Sequence, residues 1–254
     1  MIDTHVHLEF PDYADEQEAV LDRAAQSGVT RVISVGGEVP RNQLIVELVD
    51  HYTPVYGALG IHPHWANTNH PDQESWLNQL LDHPKILAVG EIGLDYYYNY
   101  SPRNVQRVVF SRYLEIAENA SKPVIVHSRD SFDDTYDILK DHAPINGVVH
   151  CFSYSEKEAE AFLSLGLHIS FCGQITFKKC EDLRNTARTI PLERLLLETD
   201  CPFLAPEPKR GRRNEPAFVA YIAEKHAELR GCTTAEIDEA TTRNAERLFR
   251  FNTT

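Results

Sequence analysis

The chain is predicted to be a single α/β domain, a (β/α)8 TIM barrel, spanning residues 1–254. Two observations carry this expectation. Eight short apolar or β-branched runs, at residues 2–8, 31–35, 55–60, 86–92, 123–127, 147–152, 167–171 and 195–199, alternate with longer amphipathic segments. The residues able to do chemistry recur at the carboxyl ends of those runs, where barrel enzymes place their sites. The centres of the runs are mostly apolar, as expected of parallel strands covered by helices. Strand-helix alternation of this kind indicates βαβ units, and eight of them fit a closed barrel. An open doubly wound sheet is the alternative. No Gly-x-Gly-x-x-Gly follows the first run and no Gly-Lys-Ser/Thr loop occurs, so nucleotide-binding versions of that alternative lack support.

The first run carries Ile2-Asp3-Thr4-His5-Val6-His7. Alternate side chains of a strand share a face, so His5 and His7 point the same way, whereas a helix would set them roughly 200° apart. Helical patterns follow at 16–26 and, after the second run, at 42–51. The third run leads into Gly60-Ile61-His62-Pro63-His64 and a helix over 72–81. In the fourth, Glu91 lies within Val89-Gly90-Glu91-Ile92-Gly93-Leu94-Asp95, whose glycines allow close approach of backbone or ligand. A helix over 104–119 separates it from the fifth run, which ends at His127. Helices at 131–141 and 156–165 flank the sixth run, which holds His150. The weakest element follows the seventh run, because residues 180–188 are polar and short. Asp200 stands just past the eighth. The basic run Lys209-Arg210-Gly211-Arg212-Arg213 comes next, and helices at 215–229 and 234–250 finish the chain, the last announced by Thr233-Thr234-Ala235-Glu236.

With 25 basic and 38 acidic residues the formal charge is −13, which disfavours broad binding along duplex DNA, since that affinity rests on neutralising phosphates. A small basic site beside a metal remains compatible with it. The five cysteines are odd in number and contain no Cys-x-x-Cys, so buried thiols in a reducing compartment are expected in place of a disulfide framework or zinc knuckle. No secretory leader pattern and no apolar run approaching a membrane span occurs, and the expectation is a soluble cytoplasmic protein without a membrane partner.

Six residues from five runs thus converge on one mouth: His5, His7, Glu91, His127, His150 and Asp200. Four imidazoles and two carboxylates exceed what one four-coordinate ion requires if the site is to stay open for water and substrate. Two divalent ions bridged by a carboxylate would use them all. The expected assignment is one ion on His5, His7 and Asp200, a second on His127 and His150, and Glu91 between them. Mixed nitrogen and oxygen ligation admits magnesium, manganese or zinc, with iron and cobalt also compatible. Asp95 is expected to orient a ligand. Asp3 shares the parity of His5 and His7, and either joins that network or ends the strand below it. His62 and His64 also reach the mouth without being needed as ligands, and are expected to bind substrate phosphate. The basic run, Arg213 first, is a second candidate for an anionic substrate. His168 is read as a structural residue, and His51, His83, His142 and His226 as histidines near helix ends or on solvated faces.

These stretches together resemble the TatD family of metal-dependent deoxyribonucleases, within the amidohydrolase-like barrels. The matching segments are Asp3-Thr4-His5-Val6-His7, Gly60-Ile61-His62-Pro63, Gly90-Glu91-Ile92-Gly93-Leu94-Asp95-Tyr96, Val126-His127-Ser128-Arg129, His150-Cys151-Phe152-Ser153, Glu198-Thr199-Asp200-Cys201-Pro202 and Arg213-Asn214-Glu215-Pro216. The resemblance implies the barrel, the binuclear site and hydrolysis of DNA phosphodiesters, with single-stranded DNA or DNA ends as substrate and no stable duplex binding. It also implies Glu91 and Asp200 as the catalytic carboxylates, Asp200 taking the proton of the attacking water, with His62, Arg129 and Arg213 positioning phosphate. Related barrels cleave amides, lactones and small phosphoesters, and many bridge their metals with a carboxylated lysine. Here Lys85 and Lys122 precede their strands and Glu91 occupies the bridging place, which favours the nuclease branch.

Overall fold

A computed structural model describes residues 1–251. All eight runs are strands: β1 (Ile2–Val6), β2 (Arg31–Val35), β3 (Val55–Leu59), β4 (Ile86–Asp95), β5 (Val124–Arg129), β6 (Gly147–Val149), β7 (His168–Phe171) and β8 (Leu195–Leu197). Around them lie α1 (Gln17–Gln26), α2 (Val39–His51), α3 (Pro71–Leu80), α4 (Arg103–Ala120), α5 (Phe132–Asp141), α6 (Glu156–Ser164), α7 (Glu181–Thr189), α8 (Val219–Arg230) and α9 (Thr234–Phe249). The strands pair in parallel in the order of the sequence from β1 to β8. The ring closes through a single bridge pair, Val6 with Cys201. Sequential order and closure exclude the doubly wound alternative.

The boundaries differ from expectation where the site is built. β4 runs to Asp95, beyond residue 92, because its ladder with β5 continues through Gly93–His127, Leu94–Ser128 and Asp95–Arg129. Every one of its ten residues is buried. Gly93 makes that continuation possible: its φ is +141°, and a Cβ there would lie 2.0 Å from the carbonyl oxygen of His127. β6 and β8 are shorter than expected, three residues each. Cys151 (φ +43°) and Asp200 (φ +56°) leave extended backbone immediately beyond them, so His150 and Asp200 stand at the points where the chain turns off the barrel rim. The segment expected as a helix over 215–229 begins as a 3-10 turn at Pro216–Phe218 before α8 proper.

Strand closure at β1 and β8 uses side chains as well as backbone. The Asp3 carboxylate accepts from Thr199 N (2.9 Å) and Thr199 Oγ1 (2.6 Å), and Thr4 Oγ1 donates to Leu197 O (3.0 Å). Asp3 therefore belongs to the closure, under the mouth. Burial pushes its carboxyl pKa well up, with the Thr199 hydrogen bonds opposing.

The opposite end of the barrel is shut by α9. Its capping box, Thr233 with Glu236, sets the start of the helix, and Leu248, Phe249 and the following Phe251 pack into the lower barrel interior against Ile2, Leu87, Ile125 and Leu196. Asn244 Nδ2 donates to Leu192 O (2.7 Å) and Leu195 O (2.9 Å), tying the helix to the foot of β8. Cys172 and Cys201 are buried and the other three cysteines half-buried, all as free thiols. Among the described residues no helix is long and apolar enough to cross a membrane.

Candidate metal centre

Glu91 is the middle of the site. It is 4% exposed, and its two carboxylate oxygens face different histidines. Oε2 lies 3.4 Å from His5 Nε2. Oε1 lies 2.8 Å from His127 Nδ1 and 2.7 Å from His150 Nε2. On the first side His5 Nε2 and His7 Nε2 are 3.3 Å apart, and Asp200 Oδ1 is 3.9 Å and 3.5 Å from them. On the second side His127 Nδ1 and His150 Nε2 are 3.2 Å apart. All six expected ligands are thus brought together, and the pairing of His5 with His7 on one face confirms the alternation argued for β1.

The donor set can be tested against metals from its own spacing. Ligands about 2.0–2.1 Å from a tetrahedral ion stand roughly 3.4 Å from each other. The histidine-histidine and histidine-Asp200 separations above cluster around that value. Imidazole nitrogens facing one another at 3.2–3.3 Å repel if both present lone pairs, and a shared cation removes the conflict. His5, His7 and Asp200 form one group whose donor atoms lie within 4.8 Å of one another, and His62, Glu91 and His127 form another. His5, His150 and Glu198 make a third, lower group. The residues fit two divalent ions.

Behind the inward-facing nitrogens stand carboxylates and carbonyls. His7 Nδ1 faces Val35 O (2.9 Å) and Glu9 Oε1 (3.2 Å), and Glu9 Oε2 accepts from Ser34 Oγ (3.0 Å). His150 Nδ1 faces Glu198 Oε1 at 3.6 Å, and Glu198 Oε2 accepts from Ser170 Oγ (2.6 Å). Asp95 Oδ2 lies 3.2 Å from His127 Nε2 and 2.9 Å from His64 Nε2, the orienting role expected of it. Electrostatics follow this layout. Burial lowers the pKa of His5, reinforced by His150. It would lower His7, His127 and His150 too, but their carboxylate partners prevail: Asp200 and Glu9 take His7 to about 10, Asp95 and Glu91 raise His127, and Glu91 with Glu198 raises His150 well above its usual value. Against burial, the surrounding histidines hold Glu91 well below and Asp200 below the usual carboxylate range.

His62 Nε2 stands 3.5 Å from Glu91 Oε1, while its Nδ1 accepts from the backbone N–H of His64 (3.1 Å). A neutral His62 with Nδ1 so occupied carries its proton on Nε2, and burial drives its pKa well down, toward that neutral form. Arg129 stacks its guanidinium on Tyr97 (4.1 Å) and Tyr98 (4.9 Å). Arg213 is engaged elsewhere: it pairs with Glu16 (2.6 Å), bonds to Asp12 O and covers the Tyr13 ring. Two further residues of the basic run lie over aromatics, Arg210 on Phe177 and Lys209 on Phe218.

Sequence reasoning passed over Glu9 and Glu198. Both stand two residues from a ligand, after His7 and before Asp200, and that spacing was the available signal. It also read His226 as near a helix end or solvated, and the structure corrects this. His226 is fully buried in α8 against Phe171, and neither ring nitrogen has a hydrogen-bond partner among the described residues.

Comparison with known proteins agrees with this construction. The sequence model of the family described as TatD related DNase matches residues 2–250. The metal-dependent hydrolase YabD of Bacillus subtilis is 39% identical over 254 residues, covering 99% of this chain and 100% of YabD. The metal-dependent hydrolase YcfH of Escherichia coli is 38% identical over 257 residues, covering 99% of this chain and 96% of YcfH. The crystal structure of YjjV, a TatD homologue from Escherichia coli, superposes with a TM-score of 0.94 at 36% identity, covering 99% of this chain and 98% of that one. A barrel mouth lined by clustered metal donors, full-length similarity to metal-dependent hydrolases and a family match across nearly every residue lead to one conclusion: the chain belongs to the TatD-related DNase family and is a metal-dependent hydrolase.

Proposed function

We propose that the protein hydrolyses phosphodiester bonds of DNA, in single strands or at ends, with water activated by two divalent ions. The observation that carries this reading is the split of the Glu91 carboxylate, one oxygen toward His5 and the other toward His127 and His150. In this assignment His5, His7 and Asp200 would hold one ion and His127 and His150 the other, with Glu91 shared between them. Bound there, magnesium, manganese or zinc would polarise the phosphoryl oxygens, lower the pKa of the attacking water and stabilise the leaving oxygen. The family's description as DNases supports DNA as the substrate class.

The chain's own groups do the rest. Asp200, kept ionised by the histidines around it, accepts the proton of the attacking water. His62, with its Nε2 proton directed into the mouth beside Glu91, donates to a phosphate oxygen. His64, Arg129 and Arg213 are the further candidates for phosphate contact. For Arg213 that contact requires leaving Glu16. Arg213→Ala should then weaken binding and flatten its salt dependence, and an unchanged affinity would return Arg213 to its ion pair. Stable duplex binding is not expected of a chain with net charge −13.

The test is hydrolysis of end-labelled single-stranded DNA by protein stripped of metal and reloaded with magnesium, manganese or zinc, beside Asp200→Ala. Metal-dependent shortening absent from the variant supports the reading. No cleavage with any metal, despite confirmed loading, overturns it and directs the search to small phosphoesters, amides or lactones.

A further inference from the structure

The loop after β4 carries Tyr96-Tyr97-Tyr98-Asn99-Tyr100, and three of these rings lie largely in solvent: Tyr97 is 59%, Tyr98 46% and Tyr100 65% exposed. They are grouped. Tyr98 and Tyr100 are stacked with centroids 5.3 Å apart and planes 15° apart, and Tyr97 meets Tyr98 edge-on at 4.9 Å. The group adjoins the metal centre. His64 contacts Tyr100 (4.8 Å) and Tyr98 (5.4 Å), and its Nε2 shares the Asp95 carboxylate with His127.

Surface tyrosines ordinarily fold down over apolar neighbours or sample several rotamers. Here the backbone that carries them is fixed by a buried polar network. Asp95 Oδ1 accepts from the backbone N–H of Tyr97 (3.0 Å) and Tyr98 (2.9 Å). Gln106, fully buried, grips both ends of the loop: its Oε1 accepts from Asp95 N (2.8 Å) and its Nε2 donates to Asp95 O (3.1 Å) and Ser101 O (2.8 Å). Ser101 Oγ in turn donates to His64 O (2.9 Å). Arg129 lies against Tyr97 and Tyr98, bringing positive charge to the same ledge. Exposed aromatic rings already stacked on one another and on a cation, carried by a fixed backbone beside the proposed phosphodiester site, match what an unpaired nucleobase and its phosphate require to extend the stack. A base pair inside a duplex has both faces already stacked and offers none to such a surface.

We infer that the Tyr97-Tyr98-Tyr100 ledge is a stacking subsite for an unpaired base next to the scissile phosphate, and that it selects single-stranded over duplex DNA. The inference rests on DNA as the substrate proposed above. Its energetics are those of base-aromatic stacking without sequence readout, since every base has a π face.

The experiment compares an eight-residue oligothymidylate with an abasic strand of equal length and charge, both fluorescein-labelled, by anisotropy in EDTA so that no turnover occurs. The wild-type protein should bind the base-bearing strand roughly 5- to 100-fold more tightly. Tyr98→Ala/Tyr100→Ala should bind both strands alike, at the abasic strength. Tyr98→Phe/Tyr100→Phe should keep the preference, because stacking needs the ring and not the hydroxyl. Equal affinities in the wild type, a preference surviving the alanine variant or a preference lost in the phenylalanine variant each overturn the ledge. A base preference without cleavage of the strand under any metal upholds the ledge as a binding subsite and removes only the hydrolysis of DNA. Cleavage without a base preference does the reverse.

Discussion

His5, His7 and Asp200 stand on the seam where β8 meets β1, whereas Glu91, His127 and His150 come from the β4, β5 and β6 side of the barrel, Glu91 at the register shift between Val89 and Ile92. Between β4 and β5 the register runs from Val89–Val124 to Asp95–Arg129, and β5 continues into β6 through Val124, Ile125 and Val126. The seam has one bridge pair, supplemented near the mouth by Asp200 N donating to His5 O (3.0 Å) and His7 N to Cys201 O (2.9 Å), and below by the Asp3-Thr199 clamp. Donor spacings on the two sides are nevertheless alike. One half of the centre is therefore positioned by ladder pairing on three adjacent strands, while the other spans a junction held by one bridge pair and a few hydrogen bonds. An ion bound on the seam side would tie β1 to β8 as well as supply chemistry.

The largest expected effect separates loading from chemistry. Glu91→Ala should cut hydrolysis on the order of 10³-fold or more and reduce bound metal on both sides, because it faces both. Asp200→Ala should lose activity on the same scale yet retain the ion between His127 and His150. Metal content by mass spectrometry checks this, and loss of both ions from Asp200→Ala would mean that the halves do not bind independently. Next comes stability. At free metal a hundred times its Kd, each ion adds about 2.7 kcal/mol to the folded state. If the seam ion makes that tie, the metal-dependent gain in unfolding free energy should shrink most in Asp200→Ala and least in His127→Ala. The opposite order in chelated and reloaded urea titrations would place the tie on the β4, β5 and β6 side.

A sharper version removes the clamp beneath the seam. Asp3→Ala leaves the buried Thr199 N–H without its acceptor and should cost roughly 2–3 kcal/mol in chelated protein. Reloading should narrow the difference, since the ion spans the same junction, and an equal cost in both states would uncouple clamp from metal. Acid adds a smaller effect behind the seam. His226 packs on Phe171 of β7, and burial with Arg230 nearby lowers its pKa to about 3. In the unfolded chain it titrates near 6.5, so below that pH the unfolded state takes up a proton that the folded state refuses. Stability should fall progressively from about pH 6.5 toward 3, by about 2 kcal/mol at pH 5. His226→Leu should flatten this part of the profile in urea midpoints at pH 7 and pH 5, and an unchanged slope would assign the acid loss to other groups.

The barrel was legible because parallel strands covered by helices are apolar along their length, a pattern that local reading detects. The clustering of the donors was legible for a related reason: a residue that ends a strand and can bind metal is conspicuous beside apolar neighbours. His226 was misread although its own helix carried the warning. The buried residues of α8 are Val219, Ile222, Ala223, His226 and Ala227, a 3.6-residue stripe that includes it. Glu198 is less legible than Asp200 in the same motif, because its role rests on His150 and Ser170, which other strands bring to it. The tyrosine ledge had no periodic signal at all. Its order comes from Asp95, Ser101 and Gln106 bonding across a turn and from Ser101 reaching His64 on another loop, a geometry that residue spacing alone does not show.

The plug formed by α9 has a kinetic consequence. With Leu248, Phe249 and Phe251 filling the foot of the barrel, the well beneath the metal centre is blind, and an ion that enters or leaves must cross the same rim as the substrate. Exchange of metal and residence of a DNA strand then compete for one doorway. A bound strand should hold its ions in place, and chelator uptake of metal, followed in a stopped-flow trace, should slow in proportion to the fraction of protein occupied.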